Sequence, residues 1–400
     1  LSTKPISIGA WMGIDNVHSP DARTFQPPGY QEKRLAALVA ATDVDLNNDG
    51  WVSSRKPLEA DTTLTTGLGG WSVAGRMFYQ DGSTLYERAT TDTALITGLA
   101  ARAMLAEHWG KVYITDGTKH WELDGQTVRG WGLPVPTAAL SPGTGYLEAG
   151  TYLAQVAFVD AQGHEGGTSD VAEAMLTSAT GIVVEIAGAS PAVVSANVYV
   201  SRRDQKRTSY LATVALGSFP YLIRSDDTTA ADPPKTEQMI GPISNAAGLF
   251  SFRAFLLMWR DSYVFRSEAA EPHLFHGDDF MQFGATVTAC EGVAGGMWIG
   301  TEKGLWWVQG EDPSKWIPVR KTFDAVAKGS AKIRGGKIQR LQTDDLVALF
   351  VTSSGLVVGT ADGQDIHLTY GVYTFDPTLR ASIAYAEQDD LRQILVGMVN

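Results

Sequence analysis

Apolar and polar positions alternate in short runs that reverse at tight polar turns, and this unit recurs along the chain. The units are RMFYQDGSTLYER (76–88), KVYITDGTKHWEL (111–123), FLLMWRDSYVFRS (255–267), GMWIGTEKGLWWV (296–308) and ALFVTSSGLVVGT (348–360). Asp81-Gly82, Asp116-Gly117, Arg260-Asp261, Lys303-Gly304 and Ser354-Gly355 sit at or beside the reversals. Asp-Gly between β-rich arms signals a hairpin, because glycine takes the positive φ that such a turn needs. Hairpins recurring at spacings of about 35–50 residues predict the blades of a β-propeller.

One segment interrupts the series. Over 145–239 the runs TYLAQVAFVD, GIVVEIAG, ANVYVSRR, SYLATVAL and PYLIRSDD predict short antiparallel strands of a separate β-sandwich. The stretch VPTAALSPGTG (135–145) and the polar, Pro-containing stretch 226–239 read as its linkers. The expected organisation is an irregular arm (1–33), a discontinuous propeller (34–144 and 240–400) and the inserted sandwich. RLAALVAATDVDLNNDGWVSSRKP (34–57) reads as a hairpin turning at Asn48-Asp49-Gly50, although Leu35, Leu38 and Val39 also fit a helical stripe. IAYAEQDDLRQILVGMVN (383–400) reads as a last hairpin turning at Asp389-Asp390. Pairing of the 34–55 stretch with 383–399 would close the ring and remove its free edges.

Composition fits an all-β protein: 42 glycines and 11 tryptophans in 400 residues, with 44% hydrophobic and 19% charged positions. The net charge of −12 argues against a general nucleic-acid binder, which needs a basic face to displace counterions. An acidic wall would instead let a duplex slide past without sticking. Cys290 is the only cysteine, so no intramolecular disulfide forms, and its apolar context predicts a small buried strand residue. The first residues carry no basic start followed by an apolar run, so no signal peptide is expected. No run of about 18 apolar residues predicts a membrane span.

Candidate chemistry is sparse. Asp45-Leu46-Asn47-Asn48-Asp49-Gly50 fits the start of a calcium loop, but Lys56 and Ser53 stand where further carboxylates would be needed, so the reading is a polar turn. Thr115-Asp116-Gly117-Thr118-Lys119-His120-Trp121 approaches a sialidase-type Asp box, itself a structural turn. The doublets Asp278-Asp279 and Asp344-Asp345 read as solvated loops rather than a glycosidase pair. His273 and His276 are three apart in a run that reads as strand or loop, which argues against a zinc pair. No nucleophile elbow, P-loop or dinucleotide fingerprint is present. No catalytic residue, metal or cofactor is therefore expected. The one basic cluster, Arg202, Arg203, Lys206 and Arg207, is the candidate partner-binding loop.

The inserted segment resembles fibronectin type III or immunoglobulin-like modules of bacteriophage virion proteins. The resemblance lies in Gly150-Thr151-Tyr152, the turn Gly163-His164-Glu165-Gly166-Gly167 with Ser169, and Asn197-Val198-Tyr199-Val200-Ser201-Arg202. GIDN…ATDVDLNNDGWVSSRKP and SSGLVVGTADGQDIHLTYGVYTFDP are similar to stretches of phage tail proteins. In order, the pieces resemble β-propeller tail-hub or nozzle proteins of short-tailed phages. That resemblance implies a structural virion protein made in the host cytoplasm, not an enzyme. It implies a homo-oligomeric ring, expected as a hexamer, around the DNA-ejection channel, touching adaptor and fibre proteins. The alternative is a carbohydrate-binding or carbohydrate-active propeller with an accessory sandwich, for which the tryptophans would supply stacking platforms. Trp298, Trp306 and Trp307 fall inside strand patterns, where core packing is the ordinary role. A cellular protein-interaction scaffold is a third reading.

Overall fold

A computed structural model describes residues 64–226, 232–338, 341, 343–369, 373–388 and 391–399, together with short strands at Trp11–Ile14, Thr24–Phe25, Leu35–Leu38, Val44–Leu46 and Val52–Ser54. The chain forms two compact units, Thr65–Gln282 and the combination of Leu1–Leu64 with Phe283–Asn400. The fold is all-β, of propeller-type blades with an antiparallel sandwich inserted between two of them in chain order.

Within Thr65–Gln282 the first blade is a four-stranded antiparallel meander of Gly67–Val73, Arg76–Asp81, Thr84–Arg88 and Thr93–Thr97. The second is Met104–His108, Lys111–Thr115, His120–Asp124 and Thr127–Gly130. The third is Gly248–Phe252, Phe255–Arg260, Tyr263–Glu268 and Glu271–Gln282, with Met239–Ile240 added at its outer edge. Phe78, Leu85 and Ile96 of the first meander pack with Val112, Ile114 and Leu123 of the second. Ala106, Tyr113 and Trp131 carry the core onward to Leu256, Met258, Phe265 and Phe275 of the third. The second meander therefore buries one face against the first and the other against the third, which is how blades stack.

The other unit holds a fourth meander, Val287–Val293, Gly296–Thr301, Gly304–Gln309 and Pro318–Thr322. The fifth is Val326–Arg334, Leu346–Thr352, Gly355–Gly359 and Asp365–His367. Ala289, Trp298 and Trp307 of the fourth share one core with Ala348, Phe350 and Val357 of the fifth. Cys290 lies buried in this sheet, and burial pushes its thiol pKa up.

Each of the five repeated hairpins expected from the sequence is the inner strand pair of one meander. Inner strands such as Phe255–Arg260, Gly296–Thr301 and Gly355–Gly359 are covered on both faces, so they read as near-continuous apolar runs, whereas those of the first meander alternate. The reversals repeat one device. Thr115, Thr301 and Thr352 end the second strand of their meanders, and each hydroxyl donates to a carbonyl at its own turn, that of Lys119, Gly304 or Gly355. A threonine at that place suits both the strand and the turn.

The inserted module is a sandwich of two sheets. One contains Thr137–Leu147, Thr180–Ala187 and Tyr221–Ile223. The other contains Glu165–Thr168, Gly150–Asp160, Val193–Ser201 and Thr208–Ala215, with Ala172–Leu176 pairing along Gly150–Ala154. Tyr152, Val156, Phe158, Val198 and Val200 from one sheet meet Leu147, Ile182, Val184 and Ile223 from the other. The sandwich starts earlier than its pattern suggests. The expected linker 135–145 lies mostly within the strand Thr137–Leu147, which pairs with Thr180–Ala187 despite Pro142. As a sheet-edge strand it tolerates the missing donor.

At the ends, Val44–Leu46 pairs antiparallel with Val52–Ser54, as a hairpin requires; the turn 47–51, and with it most of the candidate calcium loop, lies outside the described residues. Leu35–Leu38 is strand rather than helix and pairs with Trp11–Ile14 and Thr24–Phe25. Arg380–Gln388 and Leu391–Val399 form the last hairpin, its tip 389–390 outside the described residues, joined to the fifth meander by a parallel bridge at Lys328 and Arg380. The closing pairing expected between 34–55 and 383–399 is not among the strand pairings of the described residues.

Candidate functional site

The sandwich strand Glu165–Thr168 is glycine-rich for a packing reason. A Cβ on Gly167 would lie 1.8 Å from the Met239 carbonyl oxygen, and one on Gly166 would lie 2.9 Å from Leu133 Cβ. Gly166-Gly167, which reads as a turn in sequence, is strand that seats the sandwich edge against its neighbours. Two adjoining cavities flank this seam, of about 460 and 210 Å³. Both are lined by His164, Glu271 and His273.

The larger cavity is walled by Glu165, Tyr199 and Tyr210 from the sandwich. Glu165 accepts from Tyr199 Oη at 2.8 Å, from Thr236 Oγ1 at 2.9 Å and from Asn197 Nδ2. Burial and then Glu165 push the Tyr199 phenol well above its ordinary range. These bonds fix the wall and leave Glu165 no free role as a base. Tyr210 meets Tyr199 edge-on at 5.9 Å.

His164 and His273 join the two cavities. His164 Nδ1 donates to Asp160 Oδ2 at 3.0 Å, and His273 Nδ1 lies 3.4 Å from Glu271 Oε2. His273 is buried at 8% exposure; burial and then the neighbouring His164 ring lower its pKa. His276 turns away and pairs with Glu268. Positions three apart on a strand face opposite sides, so His273 and His276 make no joint site.

The smaller cavity is bounded by His108, Trp109, Lys111 and Glu122 of the second meander. Trp109-Gly110 is the tight turn between its first two strands, with φ +49° at Trp109 and +77° at Gly110. Asn, Asp or Gly normally occupies the first such position, because a larger L-residue there is strained by about 1–2 kcal/mol. Trp109 is nonetheless 58% exposed, with its indole stacked on the His108 imidazole at 4.7 Å and 20°. His108 Nδ1 bonds Ser251 Oγ at 2.9 Å, its Nε2 has no partner, and burial lowers its pKa to about 4. Lys111 Nζ reaches Glu122 at 3.2 Å and Asp124 at 3.7 Å, and Arg129 reaches both carboxylates at 3.8 Å.

Arg202, Arg203, Lys206 and Arg207 lie on the loop between Val193–Ser201 and Thr208–Ala215, all exposed. Arg203 pairs with Glu148 and lies 3.8 Å from Asp204, and none of the four lines either cavity. Asp279 pairs with Arg266, and the Asp345 carboxylate accepts from the Thr343 hydroxyl at 3.0 Å. Among the described residues no group of three or more His, Cys, Asp or Glu side chains could hold a metal ion, and no helix is long and apolar enough to cross a membrane. The grooved seam was not singled out by sequence reasoning. Its one legible sign is His108-Trp109-Gly110, a tryptophan where a turn residue belongs.

No family model and no curated protein matches the chain. Among solved structures it is similar to BBS1N, crystallised in complex with ARL6DN, at a TM-score of 0.33 and 11% identity, over 84% of this chain and 89% of that one. It is also similar to Hsv2 of Kluyvelomyces marxianus at a TM-score of 0.22 and 7% identity, over 83% of this chain and 97% of that one. Likeness at these scores carries no argument about what the chain does.

Proposed function

We infer that the chain is a structural virion protein of a bacteriophage tail, of the nozzle or hub type, whose copies assemble as a ring around the DNA-ejection channel. The observation that carries this reading is the order of modules: two blade meanders, a sandwich, then further blade meanders. It is the same order in which the sequence resembles phage tail proteins. The net charge of −12 suits a surface past which DNA must slide without adhering. The extensively hydrogen-bonded sheets suit a rigid role rather than a catalytic one. Ring formation requires a heterologous, head-to-tail contact that closes, and the exposed loop carrying Arg202, Arg203, Lys206 and Arg207 is the basic surface an acidic neighbour would meet. Tail localisation, with synthesis in the host cytoplasm, and contacts with adaptor and fibre proteins follow from the same reading.

Negative-stain electron microscopy of the purified chain, alone and mixed with virion components, tests it. Rotationally symmetric rings with a central channel are expected. A chain that stays monomeric at micromolar concentration and is never incorporated into particles would overturn the reading.

A further inference from the structure

We propose that the seam between the sandwich and the second and third meanders is a binding groove for a neutral oligosaccharide, with one sugar ring stacked on Trp109. This is independent of the tail assignment. A solvent-facing indole is held in a left-handed turn that its own side chain disfavours, beside a cavity rather than on open surface. The His108 imidazole covers one face of the indole and leaves the other to solvent. That gives a flat, rigid apolar platform of the kind on which the C–H face of a pyranose rests.

Around the platform stand hydrogen-bonding groups of both kinds. Lys111 donates; Glu122, Asp160 and Glu271 accept; Gln162 does both. Vicinal hydroxyls need such mixed donors and acceptors. Carboxylates outnumber cations here, and His108 stays neutral near pH 7. An anionic sugar, or a nucleic acid with a base stacked on Trp109, would meet repulsion. The cavity beside Trp109 adjoins a second one of about 460 Å³, which shares His164, Glu271 and His273 as lining and is bounded by Tyr199 and Tyr210. The combined space exceeds one ring, so the ligand runs along the seam.

The test is an array of neutral hexose and N-acetylhexosamine oligosaccharides with matched sialylated and uronate-bearing ones. Calorimetry follows, using the strongest neutral binder. Neutral glycans are expected to bind. Trp109→Asn, which the turn accommodates, should weaken binding by about tenfold or more, and Trp109→Phe by less. Tyr146→Ser, at a residue that lines neither cavity, should leave it unchanged. Absence of neutral glycan binding, binding confined to acidic glycans or to basic peptides, or full affinity in Trp109→Asn would each overturn the proposal.

Discussion

The rings of His164 and His273 lie 4.7 Å apart with planes at 33°, one from the inserted sandwich and one from the third meander. The sandwich thus rests on its neighbour in part through this pair of rings, which also lines both cavities. His273 is held below its ordinary pKa by burial and by His164, while Glu271 and Asp160 work in the opposite direction.

Acid should therefore loosen the Thr65–Gln282 unit before it protonates most carboxylates. Burial lowers His108 and His120 from 6.5 to about 4. A histidine whose folded pKa is depressed binds fewer protons folded than unfolded between the two values, so stability falls as pH drops from about 6.5 toward 4. Each of these two can contribute on the order of 3 kcal/mol across that window. Urea midpoints measured from pH 7 to 4.5 should fall steadily, and His108→Gln should flatten the slope. A flat profile in the parent chain would contradict the assignment.

Trp109 should be dispensable for folding. Replacement by Asn removes about 1 kcal/mol of left-handed strain and forfeits a comparable exposed stacking contact with His108. The two nearly cancel, so Trp109→Asn is expected within about 0.5 kcal/mol of the parent in chemical denaturation. A loss of several kcal/mol would mean that the indole is a core element.

Asp116 should matter far more than an ordinary turn residue. Its carboxylate accepts backbone N–H bonds from Ala100 at 2.8 Å, Thr118 at 2.8 Å and Lys119 at 2.7 Å. Burial pushes its pKa up, but these three donors outweigh it and the pKa is lowered. Asp116→Ala strands the donors and should cost about 2–4 kcal/mol, with Asp116→Asn recovering part of it. The carboxylate's contribution is present above its unfolded pKa and is lost as pH falls through the folded one, so the gap between Asp116→Ala and the parent should narrow in acid. Equal stabilities at neutral pH would count against the turn's role.

What the sequence made legible was what burial on both faces writes into it. Phe255–Arg260 and Gly296–Thr301 are nearly all buried, so their apolar runs and turns stood out. Outer strands such as Thr127–Gly130 and Pro318–Thr322 are half exposed and carry mixed residues, so no run marked them. Thr137–Leu147 was hidden for another reason: Pro142 and its glycines write loop chemistry into an edge strand that a neighbour still pairs. The groove was illegible because it is made by contact. His108, His164 and His273 come from a blade, the sandwich and another blade, and no spacing announces their meeting.

The glycines facing tryptophans in the fourth and fifth meanders are a packing device that single methyl groups can test. Trp298 is fully buried, and its Nε1 donates to the Thr360 carbonyl at 2.9 Å, which fixes the indole over the strand Gly355–Gly359. A Cβ on Gly359 would lie 2.5–2.6 Å from three atoms of that indole. The ring cannot swing aside without losing its hydrogen bond and its contact with Trp307, whose centroid is 4.9 Å away. Gly359→Ala should therefore cost about 1–3 kcal/mol by overpacking, although alanine is otherwise a mild change in a strand. Trp298→Phe alone should also destabilise, by the cavity and the lost hydrogen bond. Because phenylalanine lacks the indole Nε1 and the fused second ring, it relieves part of the clash with the new methyl, and the double variant should be more stable than the sum of the two losses predicts, by about 0.5–1 kcal/mol. Strict additivity in urea unfolding would show that the indole and the glycine do not press on one another.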